Sequence, residues 1–203
     1  MRLNRVAAAV DSGFKGKDRM TRDEAVHLLN THIQAPTLRN HCLATEAIMQ
    51  RLAARLGQDE QFWGILGLLH DLDFEYTRDN PAAHGLKTAE LLAEYQLPES
   101  AINAILRHNA EALQLQRETL LDYALTCAET VTGLIVAAAL VHPDRKLQSV
   151  KASSVRKRMK SKDFARNVNR EHIALCEQLD IPLTDFIELS LSAMTSISDQ
   201  LGL

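Results

Sequence analysis

Apolar residues recur along this chain at helical spacing, and cap signals separate the runs. Thr21 and Glu24 form a capping-box pattern ahead of Leu28 and Leu29, which predicts a first helix. Pro36 opens a second, whose stripe Leu43, Ala47, Ile48, Leu52 and Leu56 marks a core face and which Gly57 stops. Asp59 caps a third through Trp63, Leu66 and Leu69 into His70. Asn80 and Pro81 read as cap and first turn of a fourth helix ending near Tyr95, with His84 at its start. Pro98 opens a fifth that reaches His108, and a sixth runs from about Thr119 to Val141, ahead of Pro143. No segment alternates with period 2 between turn residues, so no strand is predicted and the fold class is all-α.

After Pro143 the pattern changes. Residues 145–170 are basic, and Ser153 or Ser154 is placed to cap a helix carrying several of the charges. Two acidic helices follow, around Ile173 to Leu179 and Thr184 to Leu201, with Phe186, Leu189, Leu191 and Met194 available to the core. The expected organisation is an N-terminal arm or extension at 1–20 and one helical domain at 21–203. Within that domain lie the helices 36–142, the basic segment 145–170 and a C-terminal helical extension, 171–203, packed on the first helices.

Composition agrees with helices. Of 203 residues 46% are hydrophobic and only 4% aromatic, which argues against a β-sandwich or barrel and against disorder. The net charge of -3 hides strong segregation: +3 over residues 1–20, -9 over 21–144, +9 over 145–170 and -6 over 171–203. Cys42, Cys127 and Cys176 are odd in number, widely spaced and set among apolar neighbours, so they read as reduced thiols of a cytoplasmic protein. The apolar run from Val131 to Val141 is short of the roughly 20 residues of a membrane span, and no membrane association is expected.

Some charged groups stand where a helical core would not place them. Glu129 is the only formally charged residue between Asp122 and Asp144. A buried carboxylate finds a cationic partner, shifts its pKa or binds a metal. His41, His70, Asp71, His84 and His108 fall on the helices that precede it. Imidazole nitrogens and carboxylate oxygens suit borderline divalent metals, and one Asp can bridge two ions. His27, His32, His142 and His172 sit at helix ends or on polar faces and are read as surface residues.

This ordered set resembles the HD-domain superfamily of metal-dependent phosphohydrolases, in particular its HDIG-type small proteins. The resemblance rests on His41 in LRNHCLATEAIM, His70 and Asp71 in GLLHDLD, His84 in AAHGLKTAELL, His108 in AILRHN and Glu129 in CAETVTGLIVA. It covers roughly residues 21–142. Two positions depart from the family pattern: Leu72-Asp73 follows His70-Asp71 in place of Ile-Gly, and the late acid is Glu129 in place of Asp.

The resemblance implies an HD-type helical bundle in which His41, His70, Asp71 and Glu129 hold one metal. His84 and His108 would hold a second, bridged by Asp71. The ions would be one or two divalent cations, Mn, Fe, Ni, Co or Zn, with Mg also compatible. A metal-activated hydroxide would cleave a phosphomonoester or phosphodiester of a small compound, with a nucleotide the leading candidate. Lys87, three residues after His84, is either a second catalytic group reaching a phosphate oxygen or a solvated surface lysine. Lys151, Arg156 and Lys157 either hold the substrate's non-reacting groups or pair with the acidic C-terminal helices. With only Phe164 among the basic charges and a pI of about 6.2, a nucleic-acid partner is not expected. Two other readings use the same residues: a di-iron oxygenase of the HD fold, and a non-catalytic module that binds a phosphorylated ligand. A homo-oligomer is compatible with all three.

Overall fold

The computed structural model describes residues 20–203. The N-terminal arm expected at 1–20 lies outside them, apart from Met20, which is buried against the core.

Local signals set the first three helices. Helix α1 (Arg22–His32) begins with the complete capping box of Thr21 and Glu24. Helix α2 (Pro36–Leu56) has proline in its first turn and ends at Gly57, whose φ of 67° is the left-handed value that glycine accepts without strain. Helix α3 (Glu60–Leu69) is capped by Asp59, which accepts from the Phe62 backbone N–H. All of α3 from Phe62 to Leu69 is buried, and it packs mainly against α2.

The fourth predicted helix is not continuous. A single turn, α4 (Phe74–Thr77), comes first, then a 3-10 turn at Pro81–Ala83, an extended His84, and only then α5 (Leu86–Leu91) and a second 3-10 turn at Ala93–Tyr95. The cause is a competing cap. Asn80 makes no side-chain cap, whereas Asp73 Oδ2 accepts from the N–H groups of Gly85 at 2.7 Å and Thr88 at 3.0 Å. A carboxylate on two orphan N–H groups is the stronger cap, so the helix starts at Leu86 and His84 stays outside it. Gly85 permits the turn, at φ 87°.

Helix α6 (Glu99–His108) starts after Pro98 as expected and is followed by one further turn, α7 (Ala110–Leu113). Helix α8 (Leu120–Leu140) carries a second capping box, made by Thr119 and Asp122. It is long and apolar enough to cross a membrane, with mean hydropathy 1.6, yet 67% of that stretch is buried within the fold, as in a central core helix. Its accessible positions include Glu129, Gly133, Val136 and Leu140, which fall on one face.

The basic helix is α9 (Ala152–Met159). Its N-cap is Lys151, without a side-chain bond; Ser153 and Ser154 lie inside the helix, and Ser154 Oγ instead accepts from Arg158. The acidic region is also more broken than the sequence suggests. It comprises α10 (Arg170–Ala174), a 3-10 turn at Leu175–Leu179, α11 (Leu183–Ser196) and α12 (Ser198–Leu201). Phe186, Leu191 and Met194 are buried, Leu189 is half-buried, and α11 packs on α2 and α8. One apolar cluster runs through the described helices, from Leu29 and Ile48 through Trp63 and Leu66 to Leu134 and Phe186. Cys42, Cys127 and Cys176 are buried, unpaired thiols.

Candidate metal centre

His41 projects from the first half of α2, His70 caps the C-terminus of α3, and Asp71 follows it. His84 sits in the extended step before α5, and His108 is the last residue of α6. Helix-to-helix contact brings the first pair together. A Cβ on Gly67 would lie 2.7 Å from the Glu46 backbone nitrogen, so only glycine lets α3 approach α2 this closely. Here His70 Nε2 comes within 3.2 Å of His41 Nε2. A second pair forms between His84 Nε2 and His108 Nε2, 2.9 Å apart.

Asp71 joins the pairs. One of its carboxylate oxygens, Oδ2, is 3.6 Å from His41 Nε2. The other, Oδ1, is 3.5 Å from His70 Nε2, 3.3 Å from His84 Nε2 and 3.5 Å from His108 Nε2. Two groups of ligand atoms result, each compact enough for one ion: His41, His70 and Asp71, and Asp71, His84 and His108.

Every imidazole is held by its other nitrogen. His70 Nδ1 donates to Gly67 O at 2.9 Å, and His108 Nδ1 donates to Ile105 O. His84 Nδ1 donates to Asp73 Oδ1 at 2.8 Å. The Thr132 hydroxyl donates its one proton to Glu129 O at 2.6 Å, so at its 2.8 Å contact with His41 Nδ1 it accepts. The network places a proton on Nδ1 of all four rings and turns each Nε2 toward the site, where a metal ion would take it as a neutral ligand. Four Nε2 atoms therefore converge on a carboxylate. Such a set is unfavourable by itself and suits divalent cations.

The electrostatics differ from ring to ring. Burial, only partly opposed by Asp71, pushes His70 down to about 3 and keeps it neutral. His84 shows the opposite: burial lowers it, but hydrogen bonds to Asp71 and Asp73 carry it up to about 10. Asp71 would be raised by burial, yet His70, His108 and His84 hold it well below the carboxylate range. Asp73 is held down by His84 in the same way, against burial. Among the described residues no Arg or Lys pairs with either aspartate. In the metal-free protein the His84 imidazolium balances part of their charge, and a bound divalent ion would displace its Nε2 proton and take over that role.

Glu129 stands outside both groups. Its Oε1 accepts from Thr130 Oγ1, and burial raises its pKa. It borders a cavity of about 300 Å³ together with His41, Thr132, Gly133, Asn167, Asn169 and His172. Lys87 is on the outer face of α5, its ammonium 2.8 Å from Glu90. Lys151, Arg156 and Lys157 are exposed on α9 and its cap; they make no ion pair among the described residues and do not line this cavity.

Several residues that shape the site were not singled out in the sequence. Asp73 orients His84, Thr132 orients His41, and Gly67 sets the approach of α3 to α2. Arg117 donates to His108 O at 3.0 Å, to Thr126 Oγ1 at 2.8 Å and to both oxygens of Glu111 at 2.7 and 2.9 Å. His172, read as a surface residue, lines the cavity and meets Glu111 at 3.0 Å. The basic segment contributes by its fold: Arg170 bonds the carbonyls of Phe164, Ala165 and Val168, and the loop it secures brings Asn167 and Asn169 to the cavity. Only Asp73 gave a signal, as a second acid two residues after Asp71; the others depend on contacts remote in sequence.

Comparison with known families accounts for the arrangement. The family model described as HD domain matches residues 38–139, and this chain belongs to the HD-domain family, whose members are generally metal-dependent phosphohydrolases. Neither the curated proteins nor the solved structures contain a significant match to it.

Proposed function

We propose that this protein is a metal-dependent phosphohydrolase that cleaves a phosphomonoester or phosphodiester of a small compound. The observation that carries the reading is the convergence on Asp71 of four Nε2 atoms, each ring fixed through its Nδ1, where no Arg or Lys among the described residues pairs with the carboxylate. His41, His70 and Asp71 would hold one ion, and Asp71, His84 and His108 a second. Divalent ions held there would supply Lewis acidity to a phosphoryl oxygen and an acidified water for attack at phosphorus. Glu129, which lines the same cavity as His41, would complete the first set if its carboxylate turned from Thr130 toward an ion held there. Asn167, Asn169 and His172 line the same cavity and would offer hydrogen-bond donors to a phosphate there. The buried reduced cysteines support a cytoplasmic location.

The test is elemental analysis of the purified protein together with a panel of phosphatase and phosphodiesterase substrates. One or two equivalents of a divalent transition metal and metal-dependent release of phosphate or alcohol are expected. Asp71→Ala should lose both metal and activity. Oxygen uptake with a mixed-valent di-iron signal, and no hydrolysis across the panel, would overturn the proposal in favour of an oxygenase.

A further inference from the structure

Two cavities adjoin at His41. Beside the polar one described above lies a second, of about 290 Å³, walled by Ala44, Val136, Leu140, Leu201 and Leu203. His41, Thr132 and Gly133 line both. Gly133 puts no side chain between them, and a Cβ there would press to 3.1 Å from Val168 Cγ2 on the polar side. The accessible face of α8 passes through this junction, with Glu129 at the metal end and Val136 and Leu140 at the other.

The second lobe has the chemistry of a hydrocarbon site. Its polar groups are mostly committed to the protein: the Asn40 amide donates to Leu201 O at 3.1 Å, and His41 and Thr132 hold each other at 2.8 Å. That leaves the Thr37 hydroxyl and the Asn40 amide oxygen. A nucleobase or sugar seated here would bury hydrogen-bonding edges without partners, at a cost an alkyl or terpenoid group does not incur. Leu140, at 51% exposed on an otherwise core helix, is apolar surface such a group would cover.

We infer that the substrate is the phosphate ester of an apolar alcohol, with its phosphoryl group at Asp71 and its hydrocarbon against Val136, Leu140 and Leu203. The inference rests on the phosphohydrolase reading and narrows it from nucleotides to amphipathic esters. It also divides the cleft: the polar lobe with Asn167, Asn169 and His172 serves the phosphate, the apolar lobe the alcohol.

The test uses straight-chain alkylphosphonates from methyl to hexyl, which mimic the monoester and are inert to hydrolysis. Their Kd values for the manganese-loaded protein are measured by calorimetry. Affinity should rise on the order of fourfold per methylene while the chain remains in the lobe. In a variant carrying Val136→Gln and Leu140→Gln, both accessible positions, the gain should fall below about twofold per methylene. Equal affinity for methyl- and hexylphosphonate would overturn the inference and leave the phosphohydrolase reading intact. A gain with chain length that survives in the double variant would also overturn it, since the chain would then sit elsewhere. If no phosphonate binds to protein shown to contain manganese, the phosphohydrolase reading itself fails and the inference with it.

Discussion

Gly64 and Gly67 lie one turn apart on α3, and the same substitution at each should have opposite effects. At Gly67 an added Cβ would meet backbone on three sides: Glu46 N at 2.7 Å, Glu46 Cα at 2.8 Å and Thr45 C at 2.9 Å. Ordinary carbon contacts are about 3.5–4.0 Å, so α3 must withdraw from α2 by roughly 0.7 Å or more. Overpacking of this kind costs about 1–3 kcal/mol, whereas replacing a helical glycine by alanine returns about 1 kcal/mol. At Gly64 the obstacle is the Gln50 side chain, with its Cγ at 2.8 Å and Nε2 at 2.9 Å. That side chain can turn away, so the propensity gain prevails. Gly67→Ala should therefore be less stable than Gly64→Ala by about 2 kcal/mol, which at 2–4 °C per kcal/mol separates their melting temperatures by roughly 4–8 °C.

The same displacement reaches the metal centre. His70 travels with α3 while His41 stays with α2, and their Nε2 atoms are 3.2 Å apart. Metal–ligand distances tolerate about 0.2 Å, so Gly67→Ala should weaken metal binding by His41, His70 and Asp71 while Gly64→Ala does not. Differential scanning calorimetry and metal titration of the two purified variants decide it. Equal melting temperatures with equal metal affinity would refute the claim that close approach at Gly67 builds this half of the site.

Two further outcomes follow from the groups around the ligands. In Asp73→Asn the amide oxygen would keep the N–H groups of Gly85 and Thr88, turning its NH2 to His84 Nδ1; the imidazole must then carry its proton on Nε2, toward Asp71. Metal affinity of the His84 and His108 set should fall about 10–100-fold, read by two-step metal titration, and an unchanged second step would contradict the orienting role. Glu111 is held down to about 2, first by the side-chain hydrogen bonds from Arg117. A carboxyl depressed in the folded state adds stability that is complete above its ordinary value and disappears as pH falls through the folded one. Urea midpoints of the unmodified protein should therefore drop more between pH 5 and pH 2.5 than those of Glu111→Gln, and parallel curves would count against the Arg117 pair as the cause.

How much of this was legible depends on the range over which each feature is determined. Thr21 with Glu24, Pro36 with Gly57, Asp59 and Thr119 act within one turn of their own helix, and the boundaries they set are those observed. Asn80 makes no side-chain cap at Pro81–Ala83, and the helix starts instead at Leu86, where Asp73 gives the Gly85 and Thr88 N–H groups a charged acceptor. Ser153 and Ser154 are good caps by type, but the helix begins one residue before them. The order of His and Asp residues on successive helices identified the family. The partners that fix their tautomers did not stand out, since Thr132 is 91 positions from His41.

This difference in range also divides the metal centre. The set of His41, His70 and Asp71 is carried by α2 and the end of α3, two helices in close contact, with α3 buried from Phe62 to Leu69, so it can move only if the core moves. The set of Asp71, His84 and His108 takes His108 from the end of α6, but His84 depends on the 3-10 turn at Pro81–Ala83, the six residues of α5 and one carboxylate, Asp73, that serves as helix cap and histidine anchor together. Short elements with few core contacts open at lower free energy than core helices. The second set is thus the labile half. Its geometry is maintained by Asp73, and a residue without an acceptor there could neither cap α5 nor hold His84.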